Sequence, residues 1–262
     1  MDNPNESEVM HVMVPVKRVV DHNVRVRIKA DGSAVDTAGL KMSLNPFDEV
    51  ALEQAVRLRE AGLASKVTAV ACGAAQSQDV LRTALAMGAD AAVLIDPGSM
   101  ASDGVAWVQA LGTLARDEGV DLLLCGQQTI DDDLGALAPM LAAALDWPQA
   151  ICVNRLALDA GELQVELDGD AGVERWRLAL PAVLGVDLRL CDPRAISLPN
   201  MMKARKAGIR PLALADFSVA GDAGHTLLAC AAPPRRAPGL KLADLPALLA
   251  HLRDLPALST TA

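Results

Sequence analysis

Residues 67–95, VTAVACGAAQSQDVLRTALAMGADAAVLI, decide the fold class. The uncharged run over 67–72 reads as a buried strand, residues 78–87 carry a helical pattern closed by Gly88, and residues 91–95 are a second apolar strand. The alternation continues with a helix over 105–118, closed by Gly119, and a strand over 122–125. Charge-free strands separated by helices predict a parallel sheet covered on both faces, an α/β doubly wound architecture. In such a sheet ligands bind beyond the carboxyl ends of the strands, where the topology reverses direction.

Working outward, residues 11–17 (HVMVPVK) read as a strand that ends near Pro15 or places it where no backbone N–H is needed. In residues 24–35, Val24, Val26 and Ile28 alternate with Arg25, Arg27 and Lys29, and Asp31-Gly32 predicts a hairpin. The clearest helix follows in residues 43–62, SLNPFDEVALEQAVRLREAG. Asn45 suits its cap, Pro46 its first position, Asp48 and Glu49 its positive end, and Gly62 its close, while Glu53 and Arg57 are spaced as an i,i+4 pair.

After residue 146 the texture changes to short strands at 150–158, 162–167, 173–180 and 182–187, read as a small antiparallel sheet with turns around 159–161 and 168–172. These lead into residues 187–206, DLRLCDPRAISLPNMMKARK, where Pro193 and Pro199 bracket Leu198 and are followed by Met201, Met202, Lys203, Arg205 and Lys206. An apolar residue between two rigid prolines is a ready-made docking anchor. The alternative is that Leu198 caps a local core and the cations solvate a helix end. Further on come a short segment over 212–219, a linker-like AAPPRRAP over 231–238 and a terminal helix over 242–252. Residues 1–206 are expected to form one α/β domain and 207–262 an extended C-terminal arm.

The 262 residues are 52% hydrophobic but only 2% aromatic, with no Tyr, so the core must be built of Ala, Leu and Val. A net charge of −9 argues against general nucleic-acid binding, and the basic cluster over 203–210 is a local exception. Five cysteines, Cys72, Cys125, Cys152, Cys191 and Cys230, show no redox or zinc spacing and read as reduced thiols. The polar start MDNPNESE resembles neither a signal nor a transit peptide, and the longest uncharged apolar stretch, 134–145, is too short to span a bilayer. A cytoplasmic location is expected.

The carboxyl-end rule selects Val14-Pro15, residues 45–48, Cys72-Gly73 and the loop GQQTIDDD over 126–133, read as running into a helix at Leu134. A loop entering a helix offers free N–H groups that suit a phosphate. Asp131, Asp132 and Asp133 fit helix capping, hydrogen bonds to sugar hydroxyls, orientation of the loop, or a plain acidic turn. No GxSxG, HExxH or Walker A motif is present, nor a paired His and carboxylate motif. The chain is therefore expected not to be an enzyme in its own right, with neither a catalytic triad nor a metal site.

Several stretches in order resemble the beta subunit of electron transfer flavoprotein: VPVKRVVDHNVRVRIKADGS (14–33), KMSLNPFDEVALEQAVRLREAG (41–62), residues 67–90, GQQTIDDD, LPAV (180–183) and residues 187–206. The resemblance implies a nucleotide-binding fold of the adenine nucleotide alpha hydrolase type. It implies a heterodimer with an alpha subunit that holds most of an FAD, while the beta subunit holds a structural AMP. The implied AMP pocket comprises Pro15, Asn45, Pro46, Phe47, Asp48, Cys72, Gly126, Gln127, Gln128, Thr129, Ile130, Asp131, Asp132, Asp133, Leu134, Gly135, Ala136 and Leu137. His22 stands where better-known members place a tyrosine close to the flavin.

The implied partner surface comprises Pro193, Arg194, Leu198, Pro199, Met201, Met202, Lys203 and Lys206. Its implied partners are flavin-dependent dehydrogenases of the acyl-CoA type, as in fatty acid oxidation, with electrons passing on to a membrane quinone oxidoreductase. This chain departs from the family pattern after IDDD. Where the family carries one variable residue and then Asn-Gln-Thr-Gly, it has Leu134, Gly135, Ala136, Leu137 and Ala138, and Gln127 replaces the loop lysine. Two other readings stay open: a stand-alone adenine-nucleotide sensor, and the beta subunit of a bifurcating electron transfer flavoprotein with a second FAD in this pocket.

Overall fold

A computed structural model describes residues 9–98, 104–159, 161–219 and 227–255. The chain opens with β1 (Met10–Val16), followed by the short strands β2 (Arg18–Val20), β3 (Arg27–Ile28), β4 (Val35–Asp36) and β5 (Met42–Leu44). Then come α1 (Pro46–Glu60), β6 (Ala64–Cys72), α2 (Gln78–Met87), β7 (Ala91–Asp96), α3 (Gly104–Asp117), β8 (Leu122–Gly126) and α4 (Leu137–Leu145). The second half contains β9 (Gln149–Asp159), β10 (Glu162–Gly169), β11 (Gly172–Leu178), β12 (Ala182–Val186), α5 (Leu198–Lys206), β13 (Arg210–Ala213) and α6 (Leu245–Arg253).

Among the described residues nine strands form one sheet, in the order β11-β10-β9-β12-β8-β1-β6-β7-β13. Every pairing from β9 through β13 is parallel, and only β9-β10 and β10-β11 are antiparallel. Strand β1 lies at the centre, with β6 on one side and β8 on the other, so the direction of winding reverses at its carboxyl end. Period two then sorts the core. Val12, Val14, Leu122, Leu124 and Leu184 pack with Leu52, Leu81 and Ala84 of α1 and α2. Met13, Val70, Val93, Leu123 and Val183 pack with Leu111, Leu114 and Leu141 of α3 and α4. Both faces of the central parallel strands are covered, and these strands are apolar on both sides as the sequence requires.

Six details differ from the sequence reading. Residues 182–187 do not extend an antiparallel sheet; β12 inserts between β8 and β9, parallel to both. All five of its residues are buried, which is the signature of an interior parallel strand. The antiparallel strands β9 to β11 form one end of this same sheet. The hairpin near Gly32 is reduced to two-residue strands, and Val26 stays exposed because no core lies beneath it.

The helix expected at Leu134 begins at Leu137, because Asp133 and Gly135 adopt φ of 58° and 60°, a left-handed conformation outside the helical region. The presented segment is half helix: α5 starts at Leu198, with the Ser197 hydroxyl accepting the Asn200 N–H at 3.3 Å. Of the short segment over 212–219, only the start is a strand. Residues 210–213 pair with β7 and thereby carry the main sheet past residue 206, and a 3-10 turn, Leu214–Asp216, follows.

The N-terminal stretch over 1–8, Ala160, and residues 220–226 and 256–262 of the expected arm lie outside the described residues. Residues 227–242 of the arm carry no regular structure, and α6 buries no residue of its own.

Gly126, the last residue of β8, meets the first turn of α1. A Cβ there would stand 2.3 Å from Asp48 Oδ1 and 2.8 Å from the backbone of Phe47 and Asp48. Gly126→Ala is therefore expected to cost about 1–3 kcal/mol through overpacking. Gly208→Ala, which meets nothing within 4 Å, is the control that should leave the melting temperature unchanged.

Candidate functional site

Three segments meet at the carboxyl end of β1: the chain leaving β1, the start of α1, and the loop after β8. Asn45, fully buried, does not cap α1 with its side chain. Instead its Nδ2 donates to the Gln128 carbonyl at 2.9 Å and its Oδ1 accepts the Ile130 N–H at 3.2 Å, stitching the loop to the helix. The Lys17 N–H donates to Asp48 Oδ2 at 2.8 Å. The Lys17 ammonium reaches across the mouth to Asp131 at 2.9 Å, Asp132 at 2.8 Å and the Thr129 hydroxyl at 3.3 Å. The loop also braces itself, as Thr129 Oγ1 donates to Asp132 at 2.8 Å and Gln128 Nε2 donates to Asp133.

Charge is distributed unevenly here. Burial pushes the Asp48 carboxyl up to about 7, against the hydrogen bonds from Asn45 and the Lys17 N–H. Burial alone would lower the Lys17 ammonium, but Asp132 and Asp131 outweigh it and hold the group above the usual lysine value. For Asp132 burial works upward, and Lys17 and Thr129 together bring it below the ordinary carboxylate value. Cys72 sits one residue beyond the β6 partner of Val16, and burial pushes its thiol up to about 12. It is a neutral wall of the cleft rather than a nucleophile.

The structure thus gathers most of the expected pocket: Asn45, Asp48, Gly126, Gln128, Thr129, Ile130, Asp131, Asp132 and Asp133 are linked by contact. Pro15 is buried within β1, and Pro46 and Phe47 form the half-buried first turn of α1. Gln127 turns away, its Oε1 accepting the Cys152 N–H at 2.7 Å, where Cys152 has a φ of 58°. Leu134 is exposed, and Gly135, Ala136 and Leu137 lead into α4 without a polar side chain. His22 is not part of this group. It is exposed beside Asn23, with Nε2 3.0 Å from Asn23 Nδ2, on a turn tied down by the Asp21–Lys41 ion pair at 2.6 Å. Lys17 was missed as a site residue; its signal is a cation at the carboxyl end of an apolar strand.

The second constellation surrounds α5. Arg194 is engaged within the chain: its guanidinium holds buried Glu53 at 2.7 Å and Glu60 at 2.7 Å. Glu53 also pairs with Arg57 at 2.6 Å, and Arg57 donates to the Asp192 carbonyl at 2.7 Å. Burial would raise the Glu53 carboxyl, but Arg194 and Arg57 hold it below its ordinary value. At the other end of α5, Arg82 donates to the Ala204 and Ala207 carbonyls. Braced at both ends, the helix leaves Leu198 71% exposed, with Met201, Met202, Lys203 and Lys206 also at the surface. Pro193 and Pro199 are exposed beside them.

The chain that carries this cleft and this braced, apolar-tipped helix matches one family model. Residues 33–217 fit the electron transfer flavoprotein domain. Over 94% of this chain and 98% of theirs, three relatives are each named electron transfer flavoprotein subunit beta. The Bradyrhizobium diazoefficiens protein is 42% identical over 245 residues and the human protein 42% over 249. The Oryza sativa subsp. indica protein, whose name adds "mitochondrial", is 43% identical over 248 residues. The chain belongs to the electron transfer flavoprotein beta subunit family.

Two carboxylates on α1 should give opposite pH signatures. Asp48, raised, stabilises the fold below the ordinary Asp pKa, and that contribution is lost as pH rises toward about 7; Asp48→Asn should flatten the decline in denaturation midpoint across this range. Glu53, lowered, contributes stability above the ordinary Glu pKa that is lost as pH falls through its folded value. Glu53→Gln should cost about 1–3 kcal/mol at neutral pH, with the deficit narrowing on acidification.

Proposed function

We propose that this chain is the beta subunit of a heterodimeric electron carrier. It shares an FAD with an alpha subunit, accepts electrons from flavin-dependent dehydrogenases of the acyl-CoA type and passes them toward a membrane quinone oxidoreductase. The observation that carries the reading is Leu198, 71% exposed at the first turn of a helix braced at both ends. A soluble chain rarely fixes an exposed leucine so firmly without a partner to receive it. Burying one leucine yields roughly 1.5–3 kcal/mol, enough to orient an encounter without making it permanent. A carrier that loads and unloads electrons needs that balance, a small interface with fast release. Lys203 and Lys206 add steering toward an acidic partner surface.

The arm supports a permanent partner as well. Leu227, Leu228, Leu240, Leu245, Leu248 and Leu249 are exposed in this chain, a run of apolar side chains suited to an alpha subunit. This reading puts His22, exposed on its turn, near the flavin at that interface. Five free cysteines fit a reducing compartment, the cytoplasm. Among the described residues no helix is long and apolar enough to cross a membrane.

Leu198→Ala in the coexpressed heterodimer should leave the flavin absorption spectrum intact and slow its reduction by the partner dehydrogenase about 10-fold or more, the equivalent of the lost leucine contact. Unchanged stopped-flow kinetics would remove the anchor role.

A further inference from the structure

We infer that the nucleotide cleft of this chain is closed from within and takes no AMP, the ligand its resemblance implies there. The inference rests on the heterodimer reading above. A phosphate at a helix start needs free N–H groups, polar side chains and an available cation. The first turn of α4 supplies little of this: Ala136 at the cap position offers no side-chain bond, Leu137 and Ala138 are apolar, and Pro139 has no N–H. The Met140 N–H is already donated to the Ala136 carbonyl at 3.1 Å. In that turn the N–H groups of Leu137 and Ala138 remain, after those of Gly135 and Ala136, and Ala138 is buried.

The mouth is electrostatically wrong for an anion too. The cation at hand, Lys17, is held by two aspartates and a threonine, and a third carboxylate, Asp133, stands in the same loop. Gln127 Oε1 is taken by the Cys152 N–H, and Gln128 Nε2 is spent on Asp133. A pocket shaped around a ligand leaves polar groups waiting for it. Among the described residues no buried side-chain nitrogen or oxygen lacks a partner. The contacts of Asn45 and Lys17 do the work of holding the loop, so folding of this subunit does not wait on adenylate.

The test uses the heterodimer purified after coexpression, with nucleotides released by denaturation and quantified. One FAD with AMP far below one equivalent is expected; one AMP per heterodimer overturns the inference. Titrated AMP at about 1 mM should leave the melting temperature unchanged, whereas a site with a Kd of about 10 µM would raise it measurably. Flavin content and co-purification of the alpha subunit report on the carrier reading separately, since their loss sinks that reading whatever the AMP value.

The combined variant Gly135→Asn, Ala136→Gln and Leu137→Thr returns two amides and a hydroxyl to the turn. Asn is the L-residue that best tolerates the φ of 60° at position 135. The variant, checked for retained FAD, should gain AMP affinity by about 10-fold or more. No gain would overturn the assignment of the loss to this turn.

Discussion

The rest of the molecule depends on one close approach, that of Gly126 to the first turn of α1. A side chain as small as a methyl would collide there with Asp48 and with backbone, so the end of β8 and the start of α1 are locked at a single distance. That distance sets the reach of Asn45 to the loop and of the Lys17 backbone to Asp48. The cleft is thus positioned by core elements and not by the loop that lines it. The loop inherits its shape from a helix start and a strand end, both of which are buried.

Helix α1 connects this cleft to the surface around α5. Its first turn carries Asp48, a carboxylate raised because burial removes water and the hydrogen bonds and the Lys17 charge around it offset only part of that loss. About a turn and a half later, Glu53 is equally hidden from solvent but is met by two guanidinium groups, which reverse the direction of its shift. The same residue chemistry on one helix therefore gives a neutral-leaning wall at one place and a fixed anion at another. The fixed anion is what holds the segment before α5 in place, and Arg82 completes the brace from α2.

Much of the fold was legible because its signals are local. The strands over 67–72, 91–95 and 122–125 are apolar runs punctuated by Gly88 and Gly119, and the helix of residues 46–60 carries its own start and stop. What escaped was long-range. Residues 182–186 have the composition of a strand, but only the sheet decides that they lie parallel between β8 and β9. Asn45 looks like a cap, yet its side chain is taken by a loop 83 residues away. Nor does the sequence show that Arg194 is held by Glu53, 141 residues distant. The delayed start of α4 turned on two left-handed residues, Asp133 and Gly135, of which only the glycine is a sequence cue. In the cleft, most of the expected residues come together, but Lys17 was hidden at the end of a strand that reads as pure core.

The exposed leucines of the arm set a condition on how the protein is made. Leu227, Leu228, Leu240 and Leu245 stand in water in a lone copy, and apolar surface of that kind favours self-association over solubility. A copy synthesised in excess of whatever covers these side chains is exposed to aggregation and to quality-control proteolysis. Matched production is therefore a requirement written into the C-terminal quarter of the chain, and the level of the covering protein sets how much of this one survives.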